Sequence, residues 1–351
     1  MKVFADLHHA GLYYSLHLLF EKRLGWELYR PIGMEWFEKG FWDIAKPYDN
    51  NIGTVKQFLS IKDGDVGVAN SPPLNRILEG QNEANYYKIE EKYHNYTQKA
   101  ITFQQFCDMD IDIIIASTPD HWVTYKKLRD EYKPHAKVIC HMGNMFNEIQ
   151  PMIANGTIQN LLSSTSAFPT GKINTVFYHQ EQPVVEFIKP TKTLNVSSYT
   201  HILPLPSQFA MYKQYLPHFN FKAYGSASPD GWMNTLLDLY KSMGNDMFVY
   251  HVKPGGDGYG WNWHSAFMIG RAMLTNISDY RGQLGELLFE DGLTGHNFEA
   301  HTVEENCRIL REYVDTDRFI KMGENARKRW EDVVNYDSEY QKILAFLENL
   351  Q

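Results

Sequence analysis

The chain has 351 residues, enough for two domains of about 150 to 200 residues each. Hydrophobic residues make up 43% and charged residues 22%, which excludes a disordered or fibrous chain. The net charge of −8 argues against a surface built for nonspecific grip on a polyanion, although it leaves room for one local basic groove.

The aromatic share of 14% fits either well-filled cores or surfaces on which rings and sugars stack. Three cysteines, Cys107, Cys140 and Cys307, are widely spaced and form no CxxC, which suits a reducing compartment and no zinc site. The start, MKVFADLHHAG, lacks an apolar leader core, and no stretch approaches the roughly 18 to 20 apolar residues of a membrane span. A cytoplasmic protein without a membrane span is expected.

In chain order, Val3–Ala5 is a short apolar run ending at Asp6, followed by a loop with His8, His9 and Gly11. The helical pattern GLYYSLHLLFEKRLG comes next. Strands are predicted at Ile111–Ala116, Lys137–Cys140, Asn160–Ser163 and Thr175–Tyr178, with a helix over VTYKKLRDEY. The segment Gln180–Asn195 holds Pro183 and Pro190 without a helical period and reads as a linker. Beyond it come strands at Ser197–Ile202, Phe219–Tyr224, Met247–Val252 and Ala272–Thr275. Helices are expected near Gln208–Tyr215, over Trp232–Met243 and after Gly260, with two charged helices at the end. Apolar strands alternating with helices predict parallel sheets covered on both faces, whose ligands sit at the carboxyl ends of the strands.

Five features invite a chemical reading. In DGYGWNWHSAFMIGRAM, residues 257–273, a glycine-rich turn runs into a helix whose first turn carries two tryptophans and a histidine. With Gly255, Gly256 and Lys253 just before it, the motif offers main-chain amides, a helix dipole and a full charge to a phosphate or diphosphate. A turn that only packs strand on helix is the plainer alternative. Secondly, His8 and His9, His121 and His141 each follow a predicted strand and would share one rim of the sheet. Thirdly, Asp108, Asp110 and Asp112 resemble an acidic metal motif but enter their strand from the amino side, as a solvated strand entrance would. Fourthly, the Lys-rich stretches 86–99 and 125–137 interleave aromatics as nucleic-acid surfaces do, but acids are mixed through both, as on a solvated helix face. Lastly, aromatics crowd residues 26–48, either as core or as the wall of a binding site.

The stretch Asp257–Gly270 resembles, without a gap, the P-S-x-x-E-G-F-G-x-x-x-x-E-A-M-A-x-G-x-P pattern of retaining sugar-nucleotide transferases of the GT-B type (family 4-like, or group 1). Asp257 falls at the first Glu, Gly258-Tyr259-Gly260 at G-F-G, Ser265 at the second Glu and Gly270 at the later glycine. Asp291–Gly295 (DGLTG), Phe187-x-x-Pro190, the strand-then-histidine KVICH and the closing MGENARKRW are similar to further features of that family. Two departures stand out: Asp257 is one methylene shorter, and Ser265 replaces the Glu that binds ribose.

The resemblance implies an α/β fold of two Rossmann-like domains facing each other across a cleft. Residues 1–185 would bind the acceptor, 186–330 the nucleotide sugar, and the helix in 331–351 would cross back. It implies a glycosyltransferase of the hexosyltransferase class that acts with retention and without a metal or other cofactor on a UDP- or GDP-sugar donor. The donor would be held by Gly225, Lys253, Asp257, Gly258, Tyr259, Gly260, Trp261, His264 and Ser265, with Trp263 also packing on sugar or base. His141, His9 and His121 would orient sugar and acceptor hydroxyls. A soluble saccharide or small molecule is the first expectation for the acceptor. Hydroxymethylated DNA, as in phage enzymes working in the host cytoplasm, is the second, and a non-catalytic nucleotide-sugar-binding protein is a third reading.

Overall fold

The computed structural model describes residues 1–7, 10–31, 99–117, 119–142, 146–163, 173–199, 207–225, 228–231, 233, 236–256 and 260–350. His8, His9, Asp257, Gly258, Tyr259, the Lys-rich stretch 86–98 and the aromatics beyond Pro31 lie outside the described residues. The chain divides into two compact units. One takes in the described residues up to Pro183 together with those from Tyr336 onward, and the other runs Val184–Asn335.

Among the described residues, the first unit is built on seven parallel strands: β1 Lys2–Asp6, β2 Glu27–Pro31, β3 Lys99–Ile101, β4 Ile113–Ala116, β5 Lys137–Met142, β6 Asn160–Ser163 and β7 Asn174–Phe177, in the order β3-β2-β1-β4-β5-β6-β7. Register pairs Val3 with Ile113 and Ile115 with Ile139, so the apolar runs lie side by side. Ile113–Ala116 are all buried, as a strand covered on both faces requires. Helix α1 (Ala10–His17) follows β1, α2 (Phe103–Asp108) follows β3, α3 (Pro119–Tyr132) follows β4 and α4 (Phe146–Ala154) follows β5. Two of the three aspartates make structural contacts: Asp108 accepts from Gln104 Nε2 at 2.9 Å within α2, and Asp112 accepts the Lys2 backbone N–H at 2.7 Å.

The last helix, α10 (Tyr336–Glu348), belongs to this unit and packs on β7. Asn174 Nδ2 donates to the Phe346 carbonyl at 2.9 Å, Arg23 reaches Asp337 at 2.7 Å, and the buried pair His179 Nδ1 and Glu339 Oε1 lies at 2.8 Å. Of the segment Gln180–Asn195, read as a linker, residues 180–194 carry no helix or strand, and Asn195 already opens the next strand. Much of the segment is nevertheless buried, with Gln182 wholly covered.

Among the described residues, the second unit holds five parallel strands: β8 Asn195–Ser198, β9 Asn220–Ala223, β10 Phe248–Tyr250, β11 Ala272–Thr275 and β12 Gly295–Asn297, in the order β12-β11-β10-β8-β9. Helices α5 (Ser207–Tyr215), α6 (Leu236–Gly244) and α7 (Trp261–Ile269) alternate with them, and α8 (Val303–Asp315) and α9 (Arg318–Val333) follow β12. Three helices thus close the chain where two were expected. Gly270 ends α7 at φ 91°, and a Cβ there would land on the Phe187 ring, which accounts for a glycine at that position.

A polar knot sits beneath β8. The Tyr199 hydroxyl lies 2.7 Å from both Ser242 Oγ and Asp246 Oδ2, and Ser197 Oγ donates to Asp246 Oδ1 at 2.7 Å. Burial pushes the Asp246 carboxyl up to about 7, against the opposing pull of its Tyr199 and Ser197 hydrogen bonds and the Arg271 and Lys222 charges. The folded chain therefore holds this proton more tightly than the unfolded one. The stabilisation is fully present below about pH 4 and is lost as pH rises through about 7, amounting to on the order of 4 kcal/mol at most. Asp246→Asn, a mimic of the neutral acid, is expected to flatten this fall. Urea unfolding from pH 4 to 8 measures it, and parallel curves for variant and wild type would remove Asp246 as its source.

Candidate functional site

The carboxyl edge of the second sheet is where its topology reverses. From β8 the chain goes to β9 on one side and to β10 on the other, which opens a crevice beyond the strand ends. Around the switch point, Tyr199 leaves that edge after β8, Tyr224 and Gly225 after β9, and His251–Gly256 after β10. Tyr199 and Tyr224 stack at 5.4 Å, and Asn262 Nδ2 from the start of α7 donates to the Tyr199 carbonyl at 2.9 Å. Gly225 is buried at φ 144°, and its N–H donates to the Gly231 carbonyl at 2.9 Å.

After β10 the chain makes a turn in which the Gly256 N–H donates to the Lys253 carbonyl at 2.8 Å. Gly255 and Gly256 adopt φ 79° and 74°, a region that favours glycine. A Cβ on Gly256 would land on the Asp279 carbonyl oxygen and the Gln283 side chain. Asp279 Oδ1 also accepts the Gly255 N–H at 3.2 Å, and Gln283 Nε2 donates to the Gly255 carbonyl at 3.4 Å. Burial raises the Asp279 carboxyl above the usual range, while its bond from Gly255 works the other way. The first part of the glycine segment is thus stapled to residues 279–283 and takes no part in anion contact through its Gly255 amide. Sequence reasoning missed this staple.

Gly260, at φ 71°, caps α7 and has no side chain to offer the first-turn amides. A helix start without a side-chain cap has the chemistry of an anion cradle, with oriented N–H donors and the positive dipole end; half-buried Lys253 adds a full charge to the turn that leaves the same sheet edge. Trp261 is half-buried at the mouth of the helix, whereas His264 and Ser265 have no exposed surface.

Trp263 corrects an expectation. It is fully buried and packs on Phe267 at 5.9 Å, Tyr280 at 4.7 Å and Phe289 at 5.8 Å, so it fills the core under the helix instead of holding a ligand. The DGLTG loop leads into β12 at the amino edge of this sheet, away from the glycine turn, with Asp291 Oδ1 accepting the Asn297 N–H at 2.8 Å.

In the first unit, His141 is the penultimate residue of β5, on the carboxyl edge. It is 1% exposed, and its Nε2 lies 3.2 Å from the Tyr178 hydroxyl just after β7. His121 is on the first turn of α3, which leaves the neighbouring strand β4 at the same edge. Asp6, fully buried at the end of β1, joins this rim and is hydrogen-bonded by Tyr125. Its signal was in the sequence: an apolar strand that closes on a carboxylate.

Two parallel α/β units, the second with a glycine turn and helix at its topological switch point, define the class: paired Rossmann-like sheets of the GT-B type. The expected α/β class, two Rossmann-like parallel sheets, is the one observed. Among solved structures, the chain is similar over its whole length to Anabaena Alr3699/HepE in complex with UDP and glucose, at 12% identity and TM-score 0.60, with 99% of each chain covered. It is likewise similar to the pneumococcal O-GlcNAc transferase GtfA in complex with UDP and GlcNAc, at 9% identity, TM-score 0.58 and 99% of each chain. The lipopolysaccharide outer core galactosyltransferase WaaB in its apo form matches at 9% identity, TM-score 0.55 and 99% of each chain. No protein-family model matches the chain, and no curated protein matches its sequence.

Proposed function

We propose that this chain is a glycosyltransferase that moves a hexose from a nucleotide sugar to an acceptor hydroxyl. The observation that carries the reading is the turn Lys253–Gly256, set at the carboxyl edge of the second sheet, together with the start of α7, which is capped only by Gly260. Fold similarity to proteins bound to UDP and sugars supports a nucleotide-sugar donor, with UDP-sugars ahead of GDP-sugars. In this reading residues 186–330 hold the donor and 1–185 the acceptor. His141, His121 and His9 orient hydroxyls, and Gly225, Asp257, Gly258, Tyr259, Trp261, His264 and Ser265 complete the donor site around Lys253 and Gly260.

The chemistry is electrostatic. The bond from the anomeric carbon to the diphosphate oxygen breaks as the acceptor oxygen bonds to that carbon. Lys253 and the helix amides stabilise the charge on the departing diphosphate, and the acceptor proton passes to a leaving phosphate oxygen. Retention at the anomeric carbon and independence of a metal belong to the proposal.

A panel of UDP- and GDP-sugars tests it. A donor at a hundred times its Kd stabilises the folded chain by about 2.7 kcal/mol, which raises Tm by several degrees. Slow release of free sugar from the same donor is expected as well. A panel in which no nucleotide sugar moves Tm or is hydrolysed would reject the function.

A further inference from the structure

The Lys-rich stretch 125–137 is not absorbed by the donor site, and the structure gives it a different setting. Helix α3 and the amino-side residues of β5 and β6 enclose a hollow of about 100 Å³ lined by Trp122, Lys126, Arg129, Lys137, Thr157 and Gln159, among others. No carboxylate is among its lining residues. Lys126 stands 5.2 Å from the centre of the Trp122 ring, and neither Lys126 nor Lys137 has a carboxylate partner among the described residues. Arg129 Nε meets the exposed Asp130 at 2.7 Å, leaving its terminal nitrogens for other acceptors.

Trp122 supplies an independent sign. The residue is 3% exposed, yet its Nε1 donor is buried with no acceptor among the described residues. A buried indole N–H without a partner carries a desolvation cost that a ligand acceptor would relieve. Three cations, an unsatisfied N–H, a hydroxyl and an amide around one hollow supply donors in excess of acceptors.

We propose that this hollow is a binding site for a phosphate group, separate from the diphosphate site around Lys253. Arg129 and the two lysines would meet the anionic oxygens, with charge-assisted bonds from the guanidinium, and Trp122 Nε1 would donate to one of them. The phosphate could come from a free phosphomonoester or from the backbone of a phosphodiester chain.

Calorimetric titration separates the cases, with inorganic phosphate and with hexadeoxythymidylate as probes, at ionic strength held constant by sodium chloride. The titrations are run on Lys253→Ala protein so that the proposed donor loop does not contribute. Lys126→Ala/Arg129→Ala is expected to weaken binding about tenfold or more. Trp122→Phe, which keeps the ring and removes the donor, should weaken it about three- to tenfold at unchanged Tm. Loss confined to inorganic phosphate assigns a free phosphate, and loss of the hexanucleotide assigns a phosphodiester chain. Both probes bound equally by parent and double variant, or neither bound by the parent, would overturn the site. Nucleoside diphosphate affinity of the double variant in the Lys253 background of the wild type is expected to stay unchanged, so failure here leaves the transferase reading standing.

Discussion

Arg271→Ala is expected to cost about 3–5 kcal/mol of stability in the second unit. The guanidinium is wholly buried and donates to four backbone carbonyls: Met243 at 3.0 Å, Ile188 at 2.6 Å, Gly270 at 2.9 Å and Gly244 at 2.5 Å. Met243 and Gly244 close α6 and Gly270 closes α7, so one cation answers the negative ends of two helices. The Ile188 carbonyl belongs to the segment read as a linker, whose Ile188 N–H also donates to the Ile269 carbonyl at 3.0 Å. Burial lowers the guanidinium to about 10, with Asp246 working against that, yet it stays charged at neutral pH. Alanine would leave four buried acceptors without a donor and a cavity beside them. Lysine keeps the charge but cannot fork between carbonyls on separate segments, so Arg271→Lys should recover less than half of the loss. Chemical denaturation of both variants measures this, and a loss under 1 kcal/mol for alanine would mean water or relaxation replaces the guanidinium.

Arg271 also marks where a linear reading stops. The buried strands were legible because IIIA, KVIC and AMLT are apolar runs that only a doubly covered sheet accommodates. Strands β2, β3 and β12 were missed because ELYRP ends in proline, while KAI and GHN are too short and too polar for any period to register. The glycine turn was legible for a physical reason: positive φ at residues 255, 256 and 260 selects glycine locally. Its partners were not. Asp279 and Gln283 reach it only after β11 has returned the chain to the same edge, and no local pattern encodes that meeting. Trp263 failed as a ligand wall for a related reason. It is the third residue of a helix whose face turns inward, and burial of an indole outweighs the proximity of its neighbours to the glycine turn.

Lys253→Ala is expected to lower kcat/KM by a factor of about 10²–10³, or roughly 2.7–4 kcal/mol, with little change in stability. The residue stands three positions beyond β10, half-buried, where the chain leaves the carboxyl edge for the glycine turn. Its backbone carbonyl closes that turn through Gly256, and alanine preserves this bond, so the loop should keep its shape without the charge. If the ammonium acts on the departing diphosphate, charge that develops in the transition state is lost from its stabilisation more than charge already present in the bound donor. The fall should therefore appear chiefly in kcat, while nucleoside diphosphate binding weakens by a smaller factor. Lys253→Arg should restore part of the rate, since the charge returns on a longer and more diffuse head. Turnover of the alanine variant within a few-fold of the wild type would remove Lys253 from the diphosphate site. A fall of the same size in KM-limited binding alone would place it on the ground-state donor and shift the rate enhancement to the helix amides of α7.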